Sequence, residues 1–120
     1  MARILIVDDA QFIRATLRAM SESLGHEIIG EADSGAEALK ILETAAPDVI
    51  LLDLLLPDVS GLELMPKIRR KFPLIKVIMI TAVGQKQICA QALRAGCNDL
   101  LNKPFSYEDF TQKLQSVLEQ

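Results

Sequence analysis

Three aspartates carry the chemistry that this chain could do. Asp8 and Asp9 follow the run Arg3-Ile4-Leu5-Ile6-Val7, and Asp53 ends a second apolar run, Val49-Ile50-Leu51-Leu52. If both runs are parallel strands of one sheet, their C-terminal ends bring the carboxylates to one point, where open α/β sheets bind ligands. Crowded carboxylates repel unless they are protonated or neutralised. An all-oxygen cluster suits a hard divalent cation such as Mg2+, which keeps several waters and commonly contacts phosphate. Thr81 stands at the end of a later apolar run and Lys103 just beyond another. Lys103 can balance a phosphoryl oxygen as a mobile point charge, and the Thr81 hydroxyl can donate to another. Taken singly each has a plainer reading: Asp9 as a helix cap, Asp53 as the end of a strand, the threonine and lysine as ordinary residues. Four sequentially remote strand ends carrying complementary groups favour a phosphoryl group on, or beside, one of the aspartates.

The elements that must position these groups are legible as an alternation of short apolar runs and helical patterns, the signature of successive βαβ units. Ile4 to Val7 reads as the first strand. Ala10 to about Leu24 reads as an amphipathic helix with Phe12, Ile13, Leu17, Met20 and Leu24 on its apolar face, ended by Gly25. Ile28 to Ala32 is a weaker second strand, interrupted by Gly30. Ser34 and Glu37 have the spacing of a capping box for a helix through Ala38, Leu39 and Leu42. Pro47 stops it before Val49 to Asp53, the most hydrophobic strand and the expected centre of the sheet. After the loop from Leu54 to Gly61, a helix from about Leu62 to Lys71 accommodates Pro66 only in its first turns. Lys76 to Thr81, Gln85 to Ala95 and Asp99 to Asn102 complete the fourth strand, fourth helix and fifth strand, with Gly96 closing the helix. Ser106 caps a last helix whose buried stripe is Phe110, Leu114, Val117 and Leu118. The prediction is a doubly wound, five-stranded parallel α/β sheet with helices on both faces.

Composition narrows the function classes. At 120 residues, 50% apolar and 24% charged, the chain fits one domain, residues 1–120. With 16 acidic against 13 basic residues and a net charge of -3, the balance gives no support to a nucleic-acid surface. Cys89 and Cys97 have no Cys/His constellation around them, and His26 has no second histidine to share a metal. That usage suits a reduced, cytoplasmic protein in which both thiols are packing residues. Short apolar stretches broken by charge or proline indicate neither a signal peptide nor a membrane span. The run Lys67, Arg69, Arg70, Lys71 reads as the wet face and end of the third helix, where cations are favoured.

The segments Ile6-Val7-Asp8-Asp9, Leu52-Asp53 through Ser60-Gly61, Thr81-Ala82 and Lys103-Pro104-Phe105 resemble, in order and spacing, the motifs of the CheY-like response-regulator receiver domain. The resemblance covers essentially the whole chain and implies a (βα)5 fold and a role in two-component signalling. It implies that Asp53 accepts phosphoryl from a phosphohistidine on a histidine kinase or phosphotransfer protein. Asp9, Asp53 and the Leu55 carbonyl would ligate Mg2+, Asp8 would act through a bound water, and Lys103 and Thr81 would stabilise the phosphoryl oxygens. It further implies an output surface on the fourth helix, fifth strand and fifth helix, a partner face near Phe12 and Ile13, and a monomer or a weak phosphorylation-dependent dimer. The partner could be a flagellar switch or a later step of a phosphorelay. The chain ends straight after the last helix, which fits either a single-domain regulator or the receiver half of a longer one.

Two departures from the family pattern matter. Leu100 stands three residues before the lysine, where Tyr or Phe is usual, so an aromatic rotamer switch is absent. Leu55 and Val83, each two residues past a functional position, cannot orient an attacking water, which predicts slow hydrolysis of the phosphorylated form. A phosphorylation-independent interaction module on the same scaffold is the alternative, with Leu100 the feature in its favour. A flavodoxin-like electron carrier would need a Ser/Thr/Gly-rich loop where Asp8-Asp9-Ala10-Gln11 stands. A Mg2+-dependent phosphatase would need an acid at Leu55.

Overall fold

Each apolar run of the sequence becomes a strand, and each 3.6-residue pattern a helix. In the computed structural model the described residues are 1–82 and 86–120. The order is β1 (Arg3–Val7), α1 (Gln11–Ser23), β2 (Glu27–Ala32), α2 (Gly35–Leu42), β3 (Val49–Asp53), α3 (Gly61–Lys71), β4 (Lys76–Ala82), α4 (Lys86–Arg94), β5 (Asp99–Lys103) and α5 (Tyr107–Leu118). All strand pairs are parallel, in the order β2-β1-β3-β4-β5, with β3 central and buried along its whole length. The expected doubly wound sheet is therefore the observed one.

Side chains alternate across a strand, so each inner strand feeds two cores. Ile4 and Ile6 of β1, Val49 and Leu51 of β3, and Ile78 and Ile80 of β4 pack under α1 and α5, against Leu17, Phe110, Leu114 and Val117. Leu5, Val7, Ile50, Leu52, Val77 and Met79 face the other way, against Ala38 and Leu42 of α2, Leu64, Met65 and Ile68 of α3, and Ala92 of α4. In α1, Ile13 packs on the core while Phe12 is 77% exposed, so the helix's apolar face is narrower than its sequence suggests.

Helix ends follow local chemistry. Ser34, Ser60 and Ser106 each accept the amide of the residue three positions on, and Ser106 with Asp109 forms a full capping box. At Ser34 only half of the expected box is present, because the Glu37 side chain does not return to the cap amide. Gly25 and Gly96 take positive φ (+87° and +111°) after α1 and α4, as the termination signals required. Pro66 lies in the second turn of α3, past the amides that a helix start leaves free. The helix tolerates it with the ring on the exposed side. The expected start of α4 at Gln85 lies outside the described residues.

The charge run at the end of α3 is not uniformly wet. Arg69 turns inward: its Nε and Nη2 donate to the Gly96 carbonyl (3.1 and 2.8 Å) and Nη2 to Asn98 Oδ1 (2.8 Å). Its Nη1 reaches the carbonyls of Phe72 and Ile75. One guanidinium thus joins the end of α3 to the turn between α4 and β5, with donors in a fork that lysine cannot copy. Arg69→Ala should cost about 2–4 kcal/mol in urea unfolding, because several part-buried acceptors lose their donor at once. Arg70→Ala, at an exposed position, should stay within about 0.5 kcal/mol, and Arg69→Lys should recover only part of the loss.

Candidate functional site

Strand register decides which of the candidate side chains meet. Val7 of β1 pairs with Leu52 of β3, so the next residues, Asp8 and Asp53, lie side by side at the C-terminal edge. They share the face of Ile6 and Leu51. Lys103 shares it too, two residues beyond Leu101, and its partner on the intervening β4 is Ala82, too short to block the lysine's path. Its Nζ lies 3.1 Å from Asp8 Oδ2 and 3.5 Å from Asp53 Oδ2. Lys103 is the last residue of β5 rather than one beyond it, because the ladder with β4 continues to Ala82.

Asp8 is fully buried, and its other oxygen accepts the Ala10 amide at 2.9 Å. That bond belongs to Asp8 and not Asp9: α1 begins from Ala10 without a side-chain cap, so the capping reading of Asp9 fails. Asp9 stays exposed at the rim, and carboxylate oxygens of Asp8, Asp9 and Asp53 lie within 4.8 Å of one another. Asp53, 6% exposed, accepts the Leu55 amide. Burial, and then the charge of Asp8, push its carboxyl up to about 6, against the opposing pull of Lys103 and the Leu55 amide.

The cluster fits a divalent cation on its own chemistry. Every side-chain donor is a carboxylate oxygen, and three carboxylates against one ammonium leave two negative charges uncompensated. The exposed Asp9 leaves one side open for water ligands.

Thr81 is brought to the same edge but faces otherwise. It is 1% exposed, registers with Asn102 on β5, and its Oγ1 donates to Asn102 Oδ1 at 2.8 Å, with Cys89 Sγ at 4.0 Å. Leu55 is 61% exposed beside Asp53, and Val83 lies outside the described residues. Leu100 packs, partly buried, against the α2–α3–α4 core. The cysteines are free, Cys97 buried with its thiol pushed up to about 11 by desolvation, as packing residues. His26 accepts the Ala2 amide through Nδ1 (3.0 Å), a structural use far from a metal role.

Two supports of the site carry no signal in hydrophobic periodicity. Asp58 accepts the amides of Gly35 and Ala36, both at 2.9 Å, which holds its carboxyl below the usual range and ties the loop after β3 to the start of α2. Gly61 fits where a Cβ would lie 2.7 Å from the Asp53 carbonyl and 2.9 Å from Met79 Sδ, so that loop closes tightly under Asp53.

The raised carboxyl of Asp53 links stability to pH. Its folded value, about 6, exceeds 3.8, so the native state holds the proton across that window and stability falls as pH rises through it. Asp53→Asn should therefore stabilise the metal-free protein at pH 7 by about 1–3 kcal/mol, and by little near pH 4. Thermal denaturation in chelator at both pH values measures this, and added Mg2+ should raise the melting temperature of wild type more than that of the variant.

Comparison with known proteins agrees with this geometry. Residues 4–115 match the family model described as the response regulator receiver domain. The chemotaxis protein CheY of Listeria monocytogenes is 36% identical over 117 residues, covering 98% of each chain. The response regulator UvrY of Escherichia coli is 34% identical over 98% of this chain, which spans 54% of UvrY. Among solved structures, the receiver domain of NtrX from Brucella abortus superposes with a TM-score of 0.92 at 30% identity, covering 98% of each chain. With its carboxylates and lysine gathered at the strand ends of a (βα)5 sheet, the chain belongs to the response regulator receiver domain family.

Proposed function

We propose that this protein is a Mg2+-dependent phosphoacceptor that takes phosphoryl from a phosphohistidine onto Asp53. The observation that carries the reading is the convergence of Asp8, Asp9 and Asp53 within 4.8 Å, with Lys103 on two of them. An Asp53 carboxylate oxygen attacks phosphorus as the bond from phosphorus to the histidine nitrogen breaks, leaving an acyl phosphate on Asp53 and neutral imidazole on the donor once a proton is taken up. Asp9, Asp53 and the Leu55 carbonyl would hold Mg2+, with Asp8 acting through a bound water. When bound, the ion neutralises charge on the cluster and on the transferring group.

The chain's own residues supply positioning. Lys103, held between Asp8 and Asp53, exchanges carboxylate contacts for a phosphoryl oxygen, and the Thr81 hydroxyl donates to another. The same pocket catalyses its own phosphorylation and a slow return by water, without being an enzyme on an external substrate. Phe12, exposed at the start of α1, suits the face for the phosphohistidine donor, a histidine kinase or phosphotransfer protein. The output face is α4, β5 and α5, where a downstream protein binds or a weak dimer forms. Among the described residues no helix is long and apolar enough to cross a membrane, and a cytoplasmic setting accords with the free thiols and the partner class.

Incubation with a small phosphodonor and Mg2+ should add about 80 Da to the intact mass. The gain should vanish in Asp53→Asn and without metal; no gain in folded wild type would overturn the proposal. With exposed, apolar Leu55 beside the nucleophile, the phosphorylated species should last on the order of minutes at neutral pH, since an aliphatic side chain at that position cannot orient water. Leu55→Glu should shorten the lifetime, and loss from wild type within a few seconds would refute the role given to Leu55.

A further inference from the structure

The Thr81 hydroxyl has a single proton to give, and the structure shows where it goes. Oγ1 donates to Asn102 Oδ1 at 2.8 Å, across a registered pair in which both side chains leave the sheet on the α4 side. Asp8, Asp53 and Lys103 leave it on the other parity, so the hydroxyl is committed to β5 and not to the acidic cluster. Burial makes the two partners unequal. Thr81 is 1% exposed, so its proton must have an acceptor in the protein or on a bound group. Asn102 is exposed, so its carbonyl can exchange Thr81 for water at little cost. Leu100, also on β5, is aliphatic and offers no competing acceptor. Cys89 of α4, with Sγ at 4.0 Å, makes the other, longer contact with the hydroxyl.

Resting on the phosphoacceptor reading, we propose that Asn102 is a positioning residue that holds the Thr81 hydroxyl on β5 until a phosphoryl oxygen on Asp53 accepts its hydrogen bond instead. One proton and two acceptors make the device: occupancy of the site releases Asn102, and the released amide is what changes on the α4–β5 surface. It provides in this chain a link from site to surface that requires no aromatic residue at Leu100.

Beryllofluoride with Mg2+, a phosphoryl mimic, tests this by calorimetric titration. Asn102→Ala removes the resting acceptor without touching the acidic cluster and should bind the mimic about 3- to 10-fold tighter than wild type. In a Thr81→Val background, where there is no hydroxyl to hold, the same substitution should change affinity by less than about twofold. A second readout is spectroscopic: the Asn102 side-chain amide resonances should shift in free Thr81→Val, and in wild type should move toward that position when the mimic is added. Equal affinities of Asn102→Ala and wild type, the same gain in both backgrounds, or an unmoved Asn102 resonance would overturn the latch while leaving the phosphoacceptor intact. A folded wild type that binds no mimic in Mg2+ would overturn both.

Discussion

The pairing of Val7 with Leu52 forces two carboxylates, Asp8 and Asp53, to lie side by side at the edge of a buried sheet. Much of what surrounds them answers that one constraint. Burial, and then the neighbouring charge of Asp8, penalise the ionised form and push the Asp53 carboxyl up to about 6. Lys103 relieves part of it from across β4, and the amides of Ala10 and Leu55 relieve more. The residual negative charge gives the cluster the chemistry to take a divalent cation. Affinity for ligand and strain in the free protein are thus the same quantity seen from two sides.

Parity along the strands distributes the remaining roles. Even-numbered positions of β1 and odd-numbered positions of β3 and β5 point to the side of α1 and α5, and their continuation yields Asp8, Asp53 and Lys103. The opposite parity yields Thr81 and Asn102, under α4. The lysine of the acidic cluster and the Thr81–Asn102 contact are therefore placed on opposite faces by the same two strands, β4 and β5, with no extra element. Gly61 and Asp58 hold the loop after β3 close beneath and beside Asp53, so the acidic edge rests on a braced turn.

The sheet, its central strand and the acidic cluster are legible because each rests on strong local signals: continuous apolar runs, glycines that end helices, aspartates directly after strands; the full strand order comes from the structure. Val49 to Asp53 was read residue for residue, since five buried positions in a row admit little else. What escaped depends on three-dimensional partners. Four cations at the end of α3 look alike in sequence, and only the approach of Gly96 and Asn98 from another element selects Arg69. Phe12 and Ile13 are adjacent and both apolar, yet the helix can turn only one to the core. Asn102 looks like an ordinary polar residue until the register places it opposite Thr81. The Asp58 contact spans 23 residues to Gly35, beyond any local pattern.

The Arg69 fork has a mechanical meaning. It fastens the turn at Gly96, the end of α4 remote from the acidic edge, to the body of the domain through α3. Such a fastening has the geometry of a pivot: with the Gly96 end tied down, any displacement of α4 would grow along its length toward Lys86. A small rearrangement at the strand tips would then become a swing of the helix, largest at its Lys86 end and least at its base.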